Sequence, residues 1–380
     1  MRSAPDDPAP RLALDDPTPS ARRALPVLPA LPALPGVDGS LATQKDIVYR
    51  EVAARSVLNP PESTGIGCWS LNPYVGCAFG CAYCYARYAH RYASERARDA
   101  TTHASTDAGD TGDAPLPAWL AFERRVMVKR DAPALLRQAL AGRAARHRRL
   151  LSGEQALIVG TATDPYQPAE RRFRVTRGVL EALAEHPGLR VVIITKSPLV
   201  ARDVDVLTRI AAHATLSVHV SLITLDRALA RRIEPRSPTP EARLRAVAQL
   251  AAAGIDVGIN CMPVLPGITD RPRDLAALVR RSAEAGASHV AAGALRLQPA
   301  ARDRYLPWLA EEFPALAARY RATYAHGHYA GDAYRQGLHD YMVRLCERHG
   351  LRVREYRRDP VRRDPAQRET PRAVQLSLEL

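Results

Sequence analysis

Residues 190–221 read RVVIITKSPLVARDVDVLTRIAAHATLSVHVS. Arg190–Thr195 is a short run rich in Val and Ile, and a second such run begins at Thr215. Nearly continuous apolarity over so few residues is the pattern of a parallel strand buried on both faces. Between the two runs, Pro198–His213 spaces its apolar residues as a helix does. The same alternation extends outward in both directions. The strand candidates are Cys68–Val75, Ala156–Thr161, Arg190–Thr195, Thr215–Ile223, Ile255–Val264 and His289–Leu297. The helical patterns between them are Asp131–Leu150, Arg172–Glu185, Pro198–His213, Pro240–Ala253 and Arg273–Ala285. Asp131-Ala-Pro opens one helix, and Gly188, Gly254 and Gly286 close others, as capping preferences require. Six β–α units in series predict an α/β fold, a partial (β/α)6 TIM-type barrel. In such barrels the chemistry sits in the loops after the C-terminal ends of the strands.

The 380 residues divide by composition. Residues 1–44 are Pro-rich and aperiodic, which predicts a disordered leader. Residues 45–300 carry the barrel pattern, interrupted at about 98–117 by a Thr-, Ser-, Asp- and Gly-rich insertion that cannot drive burial. Residues 301–351 are helical and aromatic (Trp308, Phe313, Tyr320, Tyr324, Tyr329, Tyr334, Tyr341) and predict an appended C-terminal helical layer. Residues 352–380 form a basic tail. Prolines break the one apolar stretch near the N-terminus, LPVLPALPALPG at 25–36, and no run approaches the ~20 apolar residues of a membrane span. Six cysteines in this length exclude a disulfide scaffold and suit a reducing cytoplasm. The net charge of +14 is almost all arginine, since Lys45, Lys129 and Lys196 are the only lysines. Such a charge attracts polyanions, and the Arg-rich composition of a high-GC genome produces it equally well.

Three of the cysteines cluster as Cys77-Ala-Phe-Gly-Cys81-Ala-Tyr-Cys84, just after the first predicted strand. Thiolates at this spacing can converge on zinc or on an iron–sulfur cluster. Structural zinc needs a fourth ligand, and Cys68, His90 and His103 offer none in a paired arrangement. Three ligands without a fourth point to a cluster with one open iron.

The spacing, with Tyr83 before the last cysteine, resembles the radical S-adenosylmethionine superfamily. The flanks narrow the resemblance to its spore photoproduct lyase-like branch, which includes chains described as DNA repair photolyases, and within it to an uncharacterised actinobacterial group. They are Asn72-Pro-Tyr-Val-Gly-Cys77, Cys84-Tyr-Ala-Arg87, Gly160-Thr-Ala-Thr-Asp-Pro-Tyr-Gln-Pro168, Ile194-Thr-Lys-Ser197, Ile233-Glu-Pro-Arg-Ser-Pro-Thr-Pro240 and Gly258-Ile-Asn-Cys-Met-Pro263. The resemblance implies a [4Fe-4S] cluster on Cys77, Cys81 and Cys84 whose open iron chelates S-adenosylmethionine. It implies reductive cleavage to a 5′-deoxyadenosyl radical that abstracts hydrogen from a substrate, with electrons from a flavodoxin- or ferredoxin-type donor.

A cofactor carboxylate buried beside a cluster wants a cation, and Lys196 at the end of the third strand offers one. The corresponding lysine of the lyases contacts that carboxylate. Thr163 and Asp164 match the lyase positions that reach the methionine amino group, although Asp164 before Pro165 also suits a turn. Ser221 matches a cofactor-reaching serine, and Tyr83 is placed to pack on the adenine or to shield the cluster. The lyases return hydrogen from a cysteine where this chain has Thr161, whose hydroxyl bond is too strong to donate, so spore photoproduct repair does not carry over. Cys261 is the substitute donor to consider, against its alternative as a small buried hydrophobe; Cys68 and Cys346 read as buried or incidental.

Arginines recur at 137–149 and at 352–363, the second run with Tyr356, and basic residues interleaved with an aromatic can follow a phosphate backbone. Nucleic acid is therefore the expected substrate, in repair or modification. The competing expectations are a small-molecule or peptide substrate and a non-catalytic iron–sulfur binding or redox-sensing module. The ending Gln375-Leu-Ser-Leu-Glu-Leu380 resembles peptides that dock on the DNA sliding clamp, and equally an amphipathic end that packs on its own domain.

Overall fold

A computed structural model describes residues 47–64, 67–89, 116–142 and 144–353. The Pro-rich leader, nearly all of the 98–117 insertion, His90, His103, the tail beyond residue 353 and the peptide Gln375–Leu380 lie outside the described residues.

The main sheet has eight strands in the order β11-β10-β9-β8-β7-β6-β3-β2. Six of them, β3 (Trp69–Leu71), β6 (Leu157–Val159), β7 (Arg190–Thr195), β8 (Thr215–Ser221), β9 (Val257–Val264) and β10 (His289–Ala294), are parallel neighbours in chain order. This is the predicted (β/α)6 series. β2 (Leu58–Asn59) adds antiparallel to β3, and β11 (Arg352–Val353) adds parallel to β10. Among the described residues β2 and β11 do not pair with each other, so the barrel stays open.

The alternation of side chains gives the sheet two unlike faces. Val191, Ile193, Leu216, Val218, Val220, Val257, Ile259 and Val290 are apolar and nearly all fully buried, and they form the side that carries the helices. Laterally matched residues on the other side are apolar on β6 and β7, with Ile158, Val192 and Ile194, and small or polar on the flanking strands: Ser70, Ser217, His219, Ser221, Gly258, Asn260, His289 and Ala291. That side is the barrel interior. A Cβ at Gly258 would fall 2.3 Å from His289 Nε2. Its absence lets His289 reach His219, Nε2 to Nε2 at 3.1 Å.

The helices are α1 (Pro61–Thr64), α2 (Ala118–Arg124), α3 (Ala132–Ala141), α4 (Arg148–Leu151), α5 (Ala169–Phe173), α6 (Val175–Leu183), α7 (Val204–Ala211), α8 (Arg227–Ile233), α9 (Pro240–Ala252), α10 (Pro272–Glu284), α11 (Pro299–Glu312), α12 (Pro314–Thr323) and α13 (Asp332–Arg348). The last three supply the helical layer. Tyr320 donates from α12 to Pro266 O at 2.7 Å, and Tyr324 to Leu295 O at 3.1 Å, so the layer is tied to the loops after β9 and β10. None of the described helices is long and apolar enough to cross a membrane.

Three expectations need correction. The run Cys68–Val75 is two strands, β3 and β4 (Tyr74–Val75), because Pro73 lacks an N–H and the Asn72 side chain turns the chain by accepting from Ala162 N at 2.8 Å. β4 leaves the main sheet for a three-stranded one of order β1-β5-β4, built with β1 (Val48–Val52) and β5 (Arg125–Lys129). The helix expected over 131–150 stops at Ala141 and resumes at Arg148, and that expected over 172–185 starts only at Val175, after Arg174 takes a left-handed conformation (φ 51°).

Candidate cofactor site at the cysteine loop

The cysteine loop leaves β4 and is held from several directions. Cys77 N donates to Phe122 O at 2.9 Å, from α2. Ala78 N donates to Gln167 Oε1 at 2.9 Å, from the segment after β6. Ala82 N donates to Ile233 O at 2.9 Å, and Arg236 Nε to Ala78 O at 2.5 Å, from the segment after β8. Arg87 reaches back to Cys81 O at 2.7 Å. Gly80 turns the loop with φ +66°, and a Cβ there would lie 2.1 Å from Arg236 Nη2.

Cys77 and Cys81 are buried and Cys84 is half-buried. Burial pushes the Cys81 thiol up to about 12, with Lys196 opposing the rise. Cys77 rises further, driven by burial and then by Asp164. Thiols held this way become thiolates against a positive centre. Among the described residues no three His, Cys, Asp or Glu stand where they could grip one metal ion. That spacing is a single ion's; three thiolates of a cubane bind three different irons and stand further apart.

Lys196 follows β7 on the interior side, with Nζ 5.6 Å from the centre of the Tyr83 ring. Burial lowers its pKa, but Cys81 and Glu234 together raise it more, so the ammonium stays charged. The Tyr83 hydroxyl donates to Glu234, whose other oxygen accepts from Arg243. Burial raises the Glu234 carboxyl, yet Arg243, Lys196 and the Tyr83 hydrogen bond hold it below its usual value. Tyr83 is thus fixed at its hydroxyl end by Glu234 and presents its face to Lys196.

Thr163 braces the loop. It donates to Gly76 O at 2.6 Å and accepts from Gln167 Nε2 at 2.9 Å. Asp164 links β6 to β7: Oδ1 accepts from Thr195 Oγ1 at 2.7 Å and from Tyr166 N at 2.9 Å, while Oδ2 accepts from Lys196 N at 2.7 Å. Burial pushes its carboxyl up, against these hydrogen bonds and the Lys196 charge. The turn to Tyr166 and the position beside Lys196 coexist. Ser221 lies on the interior face of β8, in register with Asn260 of β9. Asn260 is buried, and its Oδ1 has no hydrogen-bond partner. Thr161 is occupied with Ser70 Oγ at 2.8 Å and Asn72 Nδ2 at 3.1 Å.

Cys261 is not brought to this group. It lies on the helix-bearing side of β9 with Val257 and Ile259, fully buried near Cys346 of α13. A thiol there cannot reach a substrate radical in the interior, so its reading as a small buried hydrophobe is the one that matches its position. Sequence reasoning missed Glu234, Arg243, Gln167 and Asn260. The segment Ile233–Pro240 stood out as a motif, but nothing local says that its glutamate meets a tyrosine 151 residues away.

These cysteines, with Lys196 beside them at the C-terminal end of a parallel barrel, lie inside a segment, residues 71–279, that matches the model of the Radical SAM superfamily. The chain belongs to that superfamily. An uncharacterized protein of Mycobacterium tuberculosis is 36% identical to it over 230 residues, covering 60% of this chain and 65% of that protein. An uncharacterized protein of Methanocaldococcus jannaschii is 30% identical over 114 residues, 30% of this chain and 42% of that one. The chain thus spans less than two thirds of the length of the curated relatives it matches. A spore photoproduct lyase variant with bound AdoMet and dinucleoside spore photoproduct has the same fold, with a TM-score of 0.54 at 16% identity over 80% of this chain and 81% of that one. Radical SAM membership implies a [4Fe-4S] cluster and S-adenosylmethionine. The site suits both: the loop offers three thiols, a charged lysine stands beside them, and among the described residues Asn260 leaves a buried oxygen without a donor.

Proposed function

We propose that this radical SAM chain is an enzyme that cleaves S-adenosylmethionine reductively and repairs or modifies a nucleic-acid substrate. The observation that carries the reading is the Lys196 ammonium, held over the Tyr83 ring and beside Cys81 at the C-terminal end of β7. Cys77, Cys81 and Cys84 would hold the cluster. When bound, the cluster supplies one electron, from a flavodoxin- or ferredoxin-type donor, that splits the sulfonium and yields a carbon radical able to take hydrogen from a substrate.

The chain's own residues bind and orient. Lys196 pairs with the cofactor carboxylate; a charged hydrogen bond in such a site contributes about 1.5–3 kcal/mol. Glu234 keeps that ammonium charged and fixes the plane of Tyr83, against which the adenosyl group packs. Asp164 anchors the backbone of Lys196 and presents its carboxylate to the cofactor amino group, and Thr163 keeps the cysteine loop in place. Ser221 and Asn260 face the interior and offer polar contacts to whatever fills it. Thr161 does not supply returning hydrogen, and Cys261 faces away, so neither side chain closes a lyase cycle.

Nucleic acid as substrate is supported by the net charge of +14 and by the fold shared with a lyase whose ligand is a dinucleoside photoproduct. The test is hydrogen transfer. Reconstituted chain, reductant and S-adenosylmethionine are incubated with perdeuterated oligonucleotides, single- and double-stranded, and 5′-deoxyadenosine is analysed by mass. Deuterium in the product is expected; none from any oligonucleotide, with cofactor cleavage proceeding, would remove nucleic acid as the substrate.

A further inference from the structure

One buried charge cluster beneath the cysteine loop has no role in the binding scheme above. Glu123 of α2 receives Arg87 Nη2 at 2.6 Å on one oxygen and Arg236 Nη2 at 2.6 Å on the other. Arg304 of α11 adds a third guanidinium, with Nε 3.8 Å from Glu123. The Arg87 and Glu123 side chains are 0% and 1% exposed and that of Arg304 is 12% exposed, so water screens this group little. Leaving Arg236 aside, Arg87 and Arg304 share this one carboxylate as their ion-pair partner among the described residues, with Glu311 acting on Arg304 only from beyond ion-pair distance, so positive charge is left over within the cluster itself.

The surplus is not explained as glue. Arg236 hydrogen-bonds Glu123 Oε2 and Arg87 ion-pairs with Oε1, while among the described residues neither Oε1 nor Arg304 Nε makes a hydrogen bond. Arg304 is held instead over the Trp119 ring, 5.6 Å from its centre. Burying an under-compensated guanidinium is costly unless a negative group lies close. Arg87 connects the cluster to such a place, donating to Cys81 O at 2.7 Å and to Trp119 O at 2.7 Å. A cubane on three thiolates is anionic in both oxidation states and more so when reduced. Nearby positive charge therefore favours the reduced state.

We propose that Arg304 is a positioning residue of the helical layer, whose charge, carried above Trp119 and shared through Glu123 and Arg87, raises the reduction potential of the cluster. The inference rests on the reading that Cys77, Cys81 and Cys84 hold that cluster.

The test compares full-length wild type, Arg304→Gln and Arg304→Lys after anaerobic reconstitution, titrated with dithionite and mediator dyes and followed by the paramagnetic signal of the reduced cluster. Iron per chain is measured on each sample. Arg304→Gln is expected to load iron normally and to show an about tenfold lower ratio of reduced to oxidised cluster at a fixed potential, equivalent to roughly 59 mV for one electron. Arg304→Lys is expected to stay near wild type. Equal midpoints for wild type and Arg304→Gln would overturn the proposal. So would loss of the cluster from Arg304→Gln, which would make the residue a structural support. If wild type itself takes up no cluster, the cysteine reading fails instead.

Discussion

Gly80 sits where the cysteine loop passes closest to buried charge. A Cβ there would lie 2.1 Å from Arg236 Nη2 and 2.7 Å from Glu123 Oε2, at a φ of +66° that disfavours L side chains by about 1–2 kcal/mol. Gly80→Ala must shift Arg236 off Ala78 O, which loosens the loop between Cys77 and Cys81. Iron per chain after reconstitution should fall to less than half of wild type. Full loading would show that the loop is not set by this contact. On the proposed reading Lys196 acts on the cofactor rather than on the loop. Lys196→Ala should keep normal iron content and weaken S-adenosylmethionine binding by ~10- to 150-fold, the equivalent of one charged hydrogen bond. Calorimetric titration with the reconstituted protein reads this directly, and unchanged affinity would remove Lys196 from the site.

At the scale of elements, two local features carry measurable strain or cost. Arg174 joins α5 to α6 in a left-handed conformation, φ 51° and ψ 30°, which a side chain occupies at a penalty and glycine does not. Arg174→Gly should raise stability by up to about 1 kcal/mol, read as a higher thermal midpoint, after glycine's greater unfolded-state freedom is deducted. A lower midpoint would mean that the arginine side chain contributes more than its backbone costs. Lys129 ends β5 and is 2% exposed. Burial pushes its pKa down to about 8, partly opposed by Asp131. Below pH 8 the lysine is charged in both folded and unfolded chains, and folding carries the whole cost of burying it. Between about 8 and 10.5 the folded form sheds its proton first, so the cost falls away as pH rises. Lys129→Met should therefore be more stable than wild type by roughly 3 kcal/mol at pH 7, with the gap closing toward pH 10.5 in denaturant titrations. A gap that does not change with pH would locate the effect in packing instead.

Across the whole molecule, the sequence is most informative where one stretch carries the signal alone. The parallel strands could be read because β6 to β10 are apolar runs buried on both faces, and the cysteine motif because its three thiols lie within eight residues. The three-stranded sheet could not, since β1 is mostly exposed and β4 spans only two residues. The Glu123–Arg236 pair joins positions 113 apart, and Tyr83–Glu234 positions 151 apart, so no local pattern announces either. The side chosen by Cys261 turned on register: moving one residue along β9, to Asn260, reaches the interior. What folding adds to the motif is the charged surround of Lys196, Glu234 and Arg236.

If this surround serves cofactor cleavage at a cluster on Cys77, Cys81 and Cys84, the anaerobically reconstituted chain must form 5′-deoxyadenosine from S-adenosylmethionine and dithionite, and its Cys81→Ala variant must not. Product is expected from wild type, with neither cluster absorbance nor product from the variant. Wild type with an intact cluster and no 5′-deoxyadenosine would rule this role out.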